Sequence, residues 1–175
     1  PDLDVTLKAA TVHAYAQQAL STSYGLSVPL SRIAAEVAAS MSLTLQFEAE
    51  DKNISRYVYL GNKRDQVRAL AQAGGVTVLV DGKALIVKNS NTARKGPLRV
   101  LNMGSGLVGL PKPTAIGCDA TFTIEGEALI GGGFRVESEF YKAANGTYLI
   151  EQLKFEIDTH GDAFFYTATG RRIPS

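Results

Sequence analysis

The sequence predicts an α+β fold in two parts: a small two-helix domain ordered β-α-β-β-α-β-β, then a small antiparallel β-barrel. Three observations predict it. In the first half, two segments carry apolar residues at helical spacing, each flanked by strand-like runs. The run "VTVLVDGKALIVKN" places two apolar strands around Asp81-Gly82, a pair suited to a two-residue hairpin of type I′. Beyond residue 96 no helical periodicity survives, and short strand candidates follow one another between turn residues. The predicted boundaries are 1–92 and 93–175.

Taken in order, "DVTLKAAT" sets Val5, Leu7 and Ala9 on one strand face. "SVPLSRIAAEVAASM" reads as a helix through Leu30, Ile33, Ala34, Val37 and Met41, with Ser27 able to cap it and Pro29 tolerated in its first turn. "LTLQFE" and "SRYVYLG" are the next two strands, the first with Leu43, Leu45 and Phe47 on one face. "NKRDQVRALAQAGG" is the second helix. Asn62 is its N-cap, Asp65 stands in its first turn, Val67, Leu70 and Ala71 form its stripe, and Gly74-Gly75 stop it. The hairpin at 76–89 closes the domain, and the polar run "NSNTARKG" at 89–96 is a linker.

In the second part, "CDATFTIEG", "GGFRVESEFYK", "GTYLIEQLKFEID" and "DAFFYTATGRR" are strands, with turns at Asn145-Gly146 and Gly161-Asp162. The alternation loses phase between Ile150 and Leu153, which predicts a bulge. "SGLVGLPKPTAIG", 105–117, mixes apolar residues with glycines and prolines. It reads as a bent entry strand at a sheet edge, its apolar residues tucked into the barrel, because proline cannot donate to a ladder. Gly104, Gly106 and Gly109 spell G-x-G-x-x-G only in letters, since Pro111 and Pro113 stand where the helix of a nucleotide site must run.

Charge and motif exclude much chemistry. Lys plus Arg number 18 against 17 Asp plus Glu, a net charge of +1, which argues against a footprint for nucleic acid or anionic lipid. No run approaches the ~18 apolar residues of a membrane span. Cys118 is the single cysteine and has no basic neighbour in sequence, so it reads as a buried, inert thiol. His160 with Asp158 and Asp162 could hold a metal but also makes an ordinary polar hairpin turn. His13 lacks ligand neighbours, and the pairs Glu125/Glu127 and Glu137/Glu139 fit the solvent face of a strand. No nucleophile, base and oxyanion donors stand together, so neither an enzyme nor a cofactor is expected.

The phrase "SGLVGLPKPTAIGCDATF", the corner and strand "LIGGGFRVES" (129–138) and the closing "NGTYLIEQLKFEIDTHGDAFFYTATG" (145–170) together resemble the barrel domain of bacteriophage baseplate hub proteins of contractile tails and related injection systems. Residues 22–89 resemble that family's inserted α+β domain. Phe164-Phe165-Tyr166 depart from the pattern, standing where a tryptophan is often found. A first barrel would be represented only by "PDLDVTLKAAT", which implies a piece of a longer hub or a shortened relative. The resemblance implies a structural protein of the virion tail baseplate, assembled in the host cytoplasm. It implies a homotrimer forming a pseudo-sixfold ring, with tail tube and spike proteins as partners and no catalytic residues. Leu107, Val108, Leu110 and Pro111 are then the candidate assembly contacts. A peptidoglycan- or peptide-binding envelope module, or a cell-wall hydrolase, stays open as an alternative.

Overall fold

A computed structural model describes residues 19–124, 128–158, 161 and 164–173. The strand expected at Val5–Ala9, and His13, Glu125, Glu127, His160 and Asp162, lie outside the described residues. The described chain is mixed α+β, with two helices and many strands. It divides into two compact units, one ending at Val87 and the next beginning at Lys88.

The first unit runs β1 (Ala19–Ser23), β2 (Val28–Pro29), α1 (Leu30–Ser40), β3 (Thr44–Glu48), β4 (Asn53–Ile54), β5 (Val58–Asn62), α2 (Lys63–Gly74), β6 (Val76–Asp81) and β7 (Ala84–Asn89). Its strands form a three-stranded sheet ordered β3-β7-β6 and two ribbons, β1·β5 and β2·β4. The helical spacing read from α1 is its buried face: Leu30, Ile33, Ala34, Val37 and Met41 all lie in the core with Leu70, Leu85 and Val87. Ser27 does not cap this helix. Pro29 is at the N-cap, with no side-chain bond there, and Asp51 serves instead from twenty residues away. Its carboxylate accepts from the Ser31 amide at 2.9 Å and the Ser31 hydroxyl at 2.6 Å, bonds that hold its pKa below the usual value.

Helix α2 starts where the sequence places it, the Asn62 side chain accepting from the Asp65 amide at 2.8 Å. Gly75, in the left-handed region, ends it. Its buried face differs from the expected stripe: Gln66, Leu70 and Gly74 are buried, and Val67 is only partly so. Gln66 donates to the Thr22 hydroxyl at 3.1 Å and so fastens β1 to the helix. The hairpin turn is also displaced by one residue. Asp81 ends β6, and the two loop residues are Gly82 and Lys83, with only Gly82 at positive φ. A glycine at the first loop position alone in that region is the type II′ arrangement, not the expected I′.

The second unit holds β8 (Arg99–Leu101), β9 (Leu107–Pro113), β10 (Gly117–Thr123), β11 (Gly133–Val136), β12 (Gly146–Ile157) and β13 (Phe164–Ile173) in one curled sheet ordered β8-β11-β12-β13-β10-β9. The expected all-antiparallel pairing is broken once, because β8 runs parallel to β11. The expected bulge is present: Ile150 faces Gly170 and Gln152 faces Thr169, leaving Glu151 as the extra residue. The strand expected over 132–142 stops at Val136. Asn145 brackets Ser138 with two bonds, 2.7 Å from its amide and 3.1 Å to its carbonyl, and turns the chain out of the sheet. Phe140 therefore lies exposed rather than on the face of buried Val136 and Ser138.

The polar stretch 89–96 is fastened within the second unit. Arg171 donates to the Asn91 side chain and the Ser90 carbonyl, and the Arg94 amide donates to the Gly131 carbonyl at 2.8 Å.

Burial pushes the Cys118 thiol from 9.0 up to about 11, as expected of an inert buried cysteine. Burial likewise raises the Tyr24 and Tyr57 hydroxyls from 10.0 to about 12, Tyr24 helped by its bond to Glu36. In all three the folded pKa lies above the unfolded one. The stability they contribute is complete below the unfolded pKa values of 9.0 and 10.0 and is lost as pH rises through about 11 to 12. Melting temperatures taken from pH 8 to 12 should fall across that window, and a flat profile there would contradict the burial of these groups.

Candidate assembly surface

The candidate contacts lie on β9, one end of the six-stranded sheet. A short polar device delivers the chain to it. Asn102 accepts from the Gly104 amide at 2.9 Å, and the Ser105 hydroxyl accepts from the Asn102 amide at 2.8 Å while donating to the Val100 carbonyl at 2.6 Å. These bonds cap one 3-10 turn, Met103–Ser105, between β8 and β9.

Strand β9 pairs with β10 at both ends but not evenly. Phe122 faces Leu107 and Thr121 faces Val108, whereas Asp119 faces Lys112. Gly109, Leu110 and Pro111 thus stand opposite the single residue Ala120. Gly109, at φ +68°, makes that bulge possible. Pro111 and Pro113 sit on an outermost strand, where a missing N–H is tolerated, as the sequence indicated.

The expectation that the apolar residues tuck inward holds for only part of the stretch. Leu107 packs, partly buried, against the core of Leu101, Phe122, Phe134, Val136, Tyr148 and Ala168. Pro111 is buried. Val108 and Leu110 face water, exposed by 36% and 59%, because the bulge rotates the strand between two core-facing positions. Met103 before the strand and Ile116 after it are exposed as well. The structure thus separates the four residues into two that hold the strand down and two presented outward.

Behind this edge the core is aromatic. Phe122 lies between the Arg99 guanidinium, 5.0 Å from its ring centre, and Tyr166 at 5.7 Å. Phe134 and Tyr148 stack at 5.3 Å. Among the described residues no group of three or more His, Cys, Asp or Glu side chains is placed to share a metal ion. No helix among them is long and apolar enough to cross a membrane. The presented groups are apolar side chains and one cation, Lys112, which suits contact with another protein surface.

A family model described as baseplate hub gp41 matches residues 1–170. No curated protein matches the chain. Among solved structures, the 43 kDa tail protein of prophage MuSo2 from Shewanella oneidensis aligns with a TM-score of 0.59 at 10% identity. The alignment covers 87% of this chain and 65% of that one, so the chain spans about two thirds of its neighbour's length. At that identity the likeness is one of fold.

Proposed function

The chain belongs to the baseplate hub gp41 family, and from that premise we propose that it links a tail tube to a central spike as one subunit of a trimeric, pseudo-sixfold hub ring. The observation that carries the reading is the family match over 1–170, nearly the whole chain. The tail protein with the same fold supports it. Its role is structural and tail-associated, and assembly takes place in the host cytoplasm before release. Residues 1–92 serve as the inserted domain. Residues 93–175, whose curled sheet acts as a small barrel, serve as the ring-forming part, with Leu107, Val108, Leu110 and Pro111 at the contact between neighbours.

Two experiments test this. In the phage or prophage that encodes it, deleting the gene should leave tails without baseplates, and a tagged copy should co-purify with tube and spike proteins at a native mass of three copies. Normal baseplates in the deletion strain, or tails devoid of the tagged chain, would rule the reading out. The domain boundary has its own check. Trypsin should cut first at Arg94 or Lys95, the basic residues of the polar stretch. First cuts at Arg68, inside α2, or Lys154, inside β12, would disprove that boundary.

A further inference from the structure

The ends of the six-stranded sheet are blunted. β9 carries two prolines and a bulge, and β8 is three residues long. A third edge is not. β11 covers β12 only from Gly146 to Leu149, and the Gly131–Gly132 backbone extends that cover to Ile150. From Gln152 to Ile157, β12 pairs with β13 on one side, and among the described residues no backbone pairs with its other side. The hairpin also carries the core-side face outward past the core. Leu153 and Tyr166 still pack on the aromatic cluster, but Phe155, Ile157 and Phe164, farther along, are exposed by 71%, 53% and 51%. Unpaired backbone beside exposed apolar side chains is a template for another strand.

The sequence of this edge names an occupant. In an antiparallel pair, facing residues share a side of the sheet. If two copies of "QLKFEI" (152–157) pair about Phe155, then Phe155 faces Phe155 and Leu153 faces Ile157 on the apolar side. On the other side Lys154 faces Glu156, twice by symmetry. Centring one residue earlier would set Lys154 against Lys154, so the charges select one register. We propose that β12 is a self-complementary docking edge, through which two copies of this chain pair antiparallel with twofold symmetry into one continuous sheet. Such a contact is isologous and does not close a threefold ring. It therefore goes beyond the proposed hub contact and stands independently of it.

The ladder is short, so the association is transient and is read at high protein concentration. The test is a charge swap on the 175-residue chain, followed by sedimentation velocity, with circular dichroism confirming the fold. Lys154→Glu sets Glu against Glu twice and should weaken the dimer about tenfold, as should Glu156→Lys, which sets Lys against Lys. The double variant K154E/E156K restores both pairs and should dimerise within about threefold of the original. An equimolar mixture of the two single variants should form a heterodimer in preference to either homodimer. A chain monomeric up to about 1 mM, a dimer or trimer indifferent to the single changes, or a double variant no better than the singles would each overturn the proposal. A hub ring intact in those variants leaves the hub reading untouched, so the two fail separately.

Discussion

Gly170→Val should destabilise the second unit by about 3 kcal/mol, the upper end of what overpacking a well-filled core costs. Gly170 lies on β13 between Ile150 of β12 and Cys118 of β10, on the face that meets the core. A side-chain carbon there would come within 2.5 Å of the Phe134 ring and 2.8 Å of the Tyr148 Cβ. Those two rings are stacked and almost wholly buried, so neither can swing away without breaking the other's contacts. Tyr148 is further pinned by its hydroxyl, which donates to the Ala144 carbonyl at 2.7 Å. Gly170→Ala should show the same sign with a smaller cost, and the cost should shrink when Phe134 is leucine, since the two positions share one space. Gly25→Ala, with nothing near its would-be Cβ, should stay within about 0.5 kcal/mol. Urea titrations measure all four, and a Gly170→Val chain as stable as the original would show that the stack does not rest on this glycine.

How much of this was legible in the sequence depends on how local each cause is. Helix α2 was readable from both ends, because Asn62 caps a turn three residues away and Gly75 closes the other end. The β12 bulge was readable because a lost phase is written in the alternation itself. The cap of α1 was not, since Asp51 reaches it only after the chain has passed through β3. Strand β8 carries three residues and owes its pairing to β11, more than thirty positions on, which no periodicity signals. The early end of β11 comes from Asn145 imitating a strand partner for Ser138, a side-chain bond that composition does not announce. On β9 the edge position followed from its prolines. The outward turn of Leu110 did not, because it depends on which residue occupies the bulge.

That same division on β9 decides how the proposed contact is to be tested. Changing Leu107 to Asp would place a charge against the aromatic core, so lost assembly would report lost folding. Pro111 is buried and unsuitable for the same reason. Val108 and Leu110 already face water, and the pair Val108→Asp and Leu110→Asp should leave the melting temperature within a few degrees. In a ring the same positions would lie against a neighbour. Two carboxylates would then be buried without partners at each repeat of the contact, at a cost of several kcal/mol. Baseplate assembly should fall by about a hundredfold or more, counted as infectious tails, while the purified chain keeps its circular-dichroism spectrum. Val108→Ala and Leu110→Ala, which remove apolar area without adding charge, should fall between the original and the double aspartate. If the double aspartate yields normal numbers of infectious tails, the exposed edge of β9 lies in water in the assembled baseplate, and the ring contact must be sought elsewhere on the curled sheet.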